Sequence, residues 1–281
     1  MRSPAQRAVL AMLLEVAGTP KPGNVDRQRE YPDLRFEHFL AGAIGALPGL
    51  RAAVEGRSIG AAFETAVAGM SDQEGGNTQF GTLLLLVPLV AVAADDSSSL
   101  APQAVTDHIE ATTVEDAAAF YRALEHVSVA AGDPPADAAA IDVRRGADAI
   151  PAVRDRELSL YDVMALGSDQ DGVAAEWTSG FDRSFAGAAR LGDLDGGVLD
   201  RTADLFIELL AAQPDTHVRN QHGGTVANEI CERAGDLIDA DPAAIDQFAT
   251  ELIDREINPG TTADITAGAL FIALHRGVIT V

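Results

Sequence analysis

The chain holds a single lysine, Lys21, and sets it in the segment Thr19-Pro20-Lys21-Pro22-Gly23-Asn24-Val25-Asp26. Proline fixes φ at positions 20 and 22 and biases Thr19 and Lys21 towards extended backbone, so the ammonium sits on a stiff mount. Such a point charge suits an anionic substrate; an ordinary surface lysine beside a helix end is the plainer reading. Three further junctions gather residues able to do chemistry. Glu74-Gly75-Gly76-Asn77-Thr78-Gln79-Phe80-Gly81 leads into the most apolar run of the chain. Its glycines allow close backbone approach and its helix-start N–H groups attract phosphate, although the same residues also make a good turn and N-cap. No lysine follows as in a phosphate loop, which excludes a Walker-type motif. Pro214 to Gly224 brings Asp215, His217, Arg219 and His222 together in a chain with six histidines. Asp215 reads equally well as a helix cap. His217 and His222 lack the spacing of a helical zinc pair. In Asn258-Pro259-Gly260-Thr261-Thr262-Ala263-Asp264, Thr261 and Asp264 have capping-box spacing, while Asp264 is also suited to a metal or a hydroxyl proton. Asp169 and Asp171 before Gly172 match only a fragment of a calcium loop.

Helices must position these junctions. Alanine and leucine dominate, aromatic residues make up 5%, and no series of alternating β-branched strands occurs. Apolar residues recur at helical spacing in Val9, Met12, Leu13 and Val16; in Phe36, Phe39, Leu40 and Ile44; and in Leu205, Leu209 and Ala212. Further helices are expected near 58–70, 79–94, 100–111, 114–130, 158–167, 172–190, 223–239, 242–257 and 262–276. The expected architecture is all-α: a single multi-helix domain over residues 1–281 with a buried apolar central helix from Phe80 to Ala94. The most linker-like stretch, Gly132-Asp133-Pro134-Pro135-Ala136-Asp137, reads as a surface connection.

Acidic residues outnumber basic ones 43 to 20, and the net charge is −23. The acids are spread along the chain, which describes a solvated anionic shell rather than an interaction tail. With so little lysine, that shell suits high salt, where self-repulsion is screened over a few ångströms. Nucleic acid and anionic membrane are poor partners for such a surface. No signal-peptide pattern opens the sequence, and Cys231 is the only cysteine, which excludes an intrachain disulfide framework and fits a reducing cytoplasm. A homo-oligomer is compatible with exposed helical faces, but no heptad seam selects one.

Taken in order, the four junctions resemble the triphosphoribosyl-dephospho-CoA synthase family over nearly the whole chain. Glu15 with Thr19 to Asp26 is similar to the family's opening signature, and Gly76-Asn77-Thr78-Gln79-Phe80-Gly81 to its Asn-Thr-His-Lys-Gly element. Glu176-Trp177-Thr178-Ser179-Gly180-Phe181 resembles a Glu-containing segment ending in Gly-Phe. Asp215-Thr216-His217-Val218 resembles Asp-Thr-Asn-Leu, and Asn258 to Asp264 resembles Ser-Pro-Gly-Gly-Ser-Ala-Asp. There are departures. Gln79 and Phe80 stand where the family has His and Lys, Arg35 to Phe39 replace a Gly-Ala-His and Asp-Met element, and His222-Gly223-Gly224 replaces Arg-Gly-Gly.

The resemblance implies an all-α enzyme that transfers the triphosphoribosyl part of ATP to the 2′-hydroxyl of 3′-dephospho-CoA and expels adenine. Positive charge then builds at the ribose C1′, the acceptor hydroxyl needs a base, and the departing base needs a proton. On that basis Glu15, Asp26, Asp215 and Asp264 are the expected catalytic acids, with Asp26, Asp215 and Asp264 also available for magnesium. Lys21 and Arg219 are expected to meet phosphate, and Asn77, Thr78 and Glu176 to line the substrate site. Two rival readings remain. One is a same-family ribosyl or phosphoribosyl transferase acting on another cofactor precursor; the other is a non-catalytic nucleotide-binding or scaffold protein of the same fold.

Overall fold

In the computed structural model, which describes residues 2–95, 99–129, 132, 138–238 and 240–281, helices follow one another without a strand among the described residues. They are α1 (Pro4–Ala17), α2 (Phe36–Gly45), α3 (Leu47–Val54), α4 (Ile59–Met70), α5 (Phe80–Ala94), α6 (Pro102–Glu110), α7 (Val114–Ala123) and α8 (Ile150–Asp155). There follow α9 (Leu160–Gly167), α10 (Gly172–Ser179), α11 (Asp182–Asp193), α12 (Val198–Ala212), α13 (Thr216–His222), α14 (Gly224–Asp236), α15 (Pro242–Asp254) and α16 (Gly260–Arg276). Short 3-10 turns lie between α7 and α8. The all-α expectation holds. Most of the expected linker, 133–137, lies outside the described residues, as do the last positions of the helices expected over 114–130 and 223–239.

Sequence signals start these helices where local chemistry dictates. Ser3 accepts from the Gln6 N–H while the Gln6 side chain accepts from Ser3, and Thr113 with Asp116 and Ser159 with Asp162 repeat the same reciprocal box. The expected helix over 172–190 is two. Gly180 and Phe181 both adopt left-handed backbone, at φ 73° and 64°, which ends α10 and redirects the chain into α11. The Glu176 carboxylate closes the break by accepting from the Arg183 N–H at 3.1 Å, the Ser184 N–H at 2.9 Å and the Ser184 hydroxyl at 2.6 Å.

Two helices share the centre. α5 is apolar on every side and buries Leu83, Leu85, Leu86, Val87, Leu89 and Val90 completely. α16 is its equal: Ile265, Leu270, Phe271 and Ile272 are fully buried, and α1, α5, α11 and α12 pack around it. Its small Thr, Ala and Gly residues conceal this role in the sequence, because they carry no strong apolar stripe. A second cluster joins Phe206 and Leu210 of α12 to Ile230 of α14 and Phe248 and Leu252 of α15. No helix among the described residues is long and apolar enough to cross a membrane.

Pro88 lies inside α5 and cannot donate to the Leu84 carbonyl one turn back. Trp177 of α10 supplies the missing donor, its indole N–H reaching Leu84 O at 3.2 Å, so a local defect in α5 becomes a fixed contact between two helices. Trp177→Phe keeps an aromatic ring in the core but removes the indole donor from that carbonyl. The expected cost is about 1–3 kcal/mol of unfolding free energy, read by urea denaturation.

Candidate active site

The opening motif folds back on the helix that precedes it. α1 carries Glu15 one turn from its end, Gly18 caps it, and the Pro-Lys-Pro-Gly loop then returns the Lys21 ammonium to the Glu15 carboxylate. The ammonium also donates to Asn24 Oδ1 at 2.7 Å and lies 5.7 Å from the centre of the Phe206 ring. Lys21 is completely buried. Burial pushes its ammonium towards the neutral form and the Glu15 carboxyl upwards, and their mutual contact opposes both. Asp26 fixes the loop from below. Its carboxylate accepts from the Thr19 hydroxyl at 2.7 Å and from the N–H groups of Lys21, Gln28 and Arg29 at 3.2, 2.7 and 2.9 Å.

This first motif interlocks with the last. The Asn24 amide donates to Asn258 Oδ1 at 2.9 Å. Gly23 has φ 70°, and a Cβ there would fall 2.2 Å from the Ile257 carbonyl, so only glycine permits the two loops to touch. The loop that Asn258 begins then opens α16. There Asp215 binds two helix starts at once: Oδ1 accepts from the Val218 N–H at 3.0 Å, and Oδ2 accepts from the Thr262 N–H and hydroxyl at 2.8 and 2.7 Å. Thr216 adds a third, its hydroxyl meeting Thr261 Oγ1 at 2.9 Å and accepting from the Gly172 N–H at 2.9 Å. Asp264 reaches a fourth, α5, through the Thr82 hydroxyl at 2.6 Å. Gly81 makes room for it, since a Cβ would lie 2.1 Å from Asp264 Oδ2.

Between these helix ends and α1 lies a cavity of about 290 Å3, near the lower bound for small-molecule sites. Its wall includes the polar side chains of Glu15, Asn24, Thr82, Asp171, Asn258 and Asp264 and the largely apolar ones of Phe80, Phe120, Tyr121, Val163 and Met164. Among the described residues no lysine or arginine lines it. Burial raises the Asp264 carboxyl well above the usual aspartate value, and the nearby Asp171, Glu15 and Asp215 charges raise it further against the Thr82 hydrogen bond. Burial also raises Asp171, which caps α10 by accepting from the Val173 and Ala174 N–H groups at 2.9 Å each. His217, beside it, is pushed down by burial.

The sequence-selected residues therefore divide. Glu15, Asp264, Asn77 and Thr78 line the cavity. Asn77 Oδ1 accepts from the Phe80 N–H at 3.1 Å, so it also starts α5. Lys21 stands behind Glu15 and Asn24 rather than at the cavity wall, because its charge is used to hold them. Asp26, Asp215 and Glu176 are not at the wall either; their oxygens are taken by loop and helix-start donors. Arg219 donates to the backbone oxygens of Asp169 and Gln170 at 3.2 and 2.6 Å. Asp26, Asp215 and Asp264 do not form a metal set, and no group of three or more His, Cys, Asp or Glu side chains suited to an ion occurs among the described residues. Asp171, Gln79 and Thr82 are among the wall residues to which sequence reasoning assigned no role; the available signals were Asp171 preceding Gly172 as an N-cap and Gln79 standing where the resembling family has histidine.

Residues 1–279 match the family model for ATP:dephospho-CoA triphosphoribosyl transferase. The chain belongs to that family. It is a transferase of all-α fold. It is similar to a crystal structure from Archaeoglobus fulgidus assigned provisionally as a triphosphoribosyl-dephospho-CoA synthase, at 26% identity and a TM-score of 0.69, over 85% of this chain and 99% of that one. No curated protein matches the sequence.

Two outcomes follow from the buried charges. Lys21→Met leaves the Glu15 carboxyl buried without its partner and is expected to cost about 3–5 kcal/mol; adding Glu15→Gln recovers more than half of that loss in chemical denaturation. The folded Asp264 carboxyl holds its proton more tightly than the unfolded one. Its contribution is fully present below the unfolded value and is lost as pH rises towards the raised folded value. Asp264→Asn is therefore expected to flatten the decline of stability that sets in as pH rises above the ordinary aspartate value, and to raise the melting temperature at neutral pH.

Proposed function

We propose that this cavity is where the chain carries out its family's reaction, moving the triphosphoribosyl group of ATP to the 2′-hydroxyl of 3′-dephospho-CoA with release of adenine. The observation that carries the reading is the meeting of Glu15 and Asp264 in one cavity, Glu15 held by the Lys21 ammonium and Asp264 by the Thr82 hydroxyl. Asp264, whose protonated form is favoured by burial and by the nearby carboxylates, donates to the departing adenine as the C1′–N9 bond breaks. Glu15 takes the proton of the attacking 2′-hydroxyl. Lys21 donates to Glu15 Oε1 and partly offsets the upward push of burial on that carboxyl. The remaining carboxylate charge near C1′ offsets the developing positive charge.

The triphosphate meets no lysine or arginine at the wall, so it would have to bring its own cation. Magnesium, when bound, supplies that neutralising charge. The residues present fit an ion held mainly by substrate: Asp171 offers the oxygen not used in capping α10, and an ion of this kind keeps phosphate oxygens and waters as its other ligands. The anionic composition supports work in high salt, and the lone cysteine supports a cytoplasmic setting. A different acceptor is the second reading. It is favoured by Phe80, a neutral wall residue where the resembling family has a lysine, which brings no charge to an anionic acceptor.

Adenine release is measured on purified protein in high potassium chloride with ATP and magnesium, with and without 3′-dephospho-CoA. Release that requires dephospho-CoA and falls about 100- to 10,000-fold in Asp264→Asn is the expected result. Folded protein that binds ATP yet releases no adenine overturns the substrate pair.

A further inference from the structure

The segment that leads into α5 contains unsatisfied groups. Gln79 is 3% exposed, and neither its amide nitrogen nor its amide oxygen has a hydrogen-bond partner among the described residues; the neighbouring Thr78 hydroxyl is in the same condition. Both residues line the cavity. A buried amide with no partner at either end costs several times the net gain of an ordinary hydrogen bond. It is not serving the fold. Asn77, two positions earlier, caps α5, and the Gln79 side chain makes no cap of its own.

An amide presents one donor and one acceptor side by side, so its complement is an edge with an acceptor beside a donor. Adenine offers that pair in N7 and the N6 amino group, the edge that glutamine reads in a bidentate manner. Phe80 and Phe39, also at the wall, offer flat apolar surface for a base, and the absence of lysine and arginine there suits a neutral ring rather than phosphate. Gly81, two residues on, packs against the Asp264 carboxyl. We propose that Gln79 binds the N6/N7 edge of the adenine of ATP and so holds the leaving base beside Asp264.

This rests on the transfer reading, and binding separates the two. The affinities of wild-type protein for ATP, ITP and 7-deaza-ATP are measured by calorimetry without acceptor, and the first two are repeated with Gln79→Met. ITP places an acceptor at position 6 and 7-deaza-ATP has none at position 7, so each breaks half of the fork. Wild-type protein is expected to bind both on the order of 10- to 100-fold more weakly than ATP, and Gln79→Met to bind ATP and ITP nearly alike. Wild-type protein that binds ATP, ITP and 7-deaza-ATP alike overturns the proposal even if the variant does not fold. So does an ATP preference that survives in Gln79→Met, which leaves the amide to water. A parallel arm compares dephospho-CoA with its 6-oxo analogue; a Gln79-dependent preference found there and not with ATP places the residue on the acceptor and overturns the assignment to the leaving base. Base preference lost in Gln79→Met without any adenine release on adding dephospho-CoA supports this proposal and sinks the transfer reading instead.

Discussion

Four helices begin at one place, and the protein must satisfy their free N–H groups inside it. α5, α10, α13 and α16 converge through Thr82, Asp171, Asp215, Thr216, Thr261 and Asp264, whose oxygens take helix-start donors or one another's hydroxyl protons. The partial positive charge of a helix start tolerates a carboxylate that an apolar interior would not. This explains how a chain of net charge −23 holds several acids around its cavity with no lysine or arginine at the wall among the described residues. The backbone supplies the positive field, and the carboxylates are arranged within it.

Lys21 completes that arrangement from outside the wall. Its ammonium fixes Glu15 and Asn24, Asn24 holds Asn258, and Asn258 lies two residues before α16 begins. A charge that appears in sequence as a ligand contact acts as a tie between the first and last motifs. Proline and glycine make this feasible. The stiff loop presents the ammonium inward, and Gly23 removes the side chain that would hold the two loops apart.

Much of this was legible in the sequence, and the limits have physical causes. Helix content followed from composition and periodicity, and the junctions that build the cavity were all marked by Gly, Pro and Asx residues. The division of labour among the acids was not. An aspartate that caps a helix and one that holds a proton share the same neighbours in sequence; only the count of donors around Asp26, Asp215 and Glu176, set against the single hydroxyl on Asp264, separates them. The break at Gly180 and Phe181 escaped notice because phenylalanine seldom adopts left-handed backbone. α16 concealed its burial behind threonine and alanine.

The bond between Trp177 and the Leu84 carbonyl has a practical side. Trp177 is the only tryptophan in the chain, buried, and tied by its indole to the helix that Thr78 and Gln79 lead into and whose first turn carries Thr82. The protein thus contains one indole fluorophore, seated where α10 meets α5, which red-edge excitation selects over the three tyrosines. Any shift of these two helices as a ligand enters changes the polarity and hydrogen bonding around that ring, so the molecule reports optically on the state of its own site.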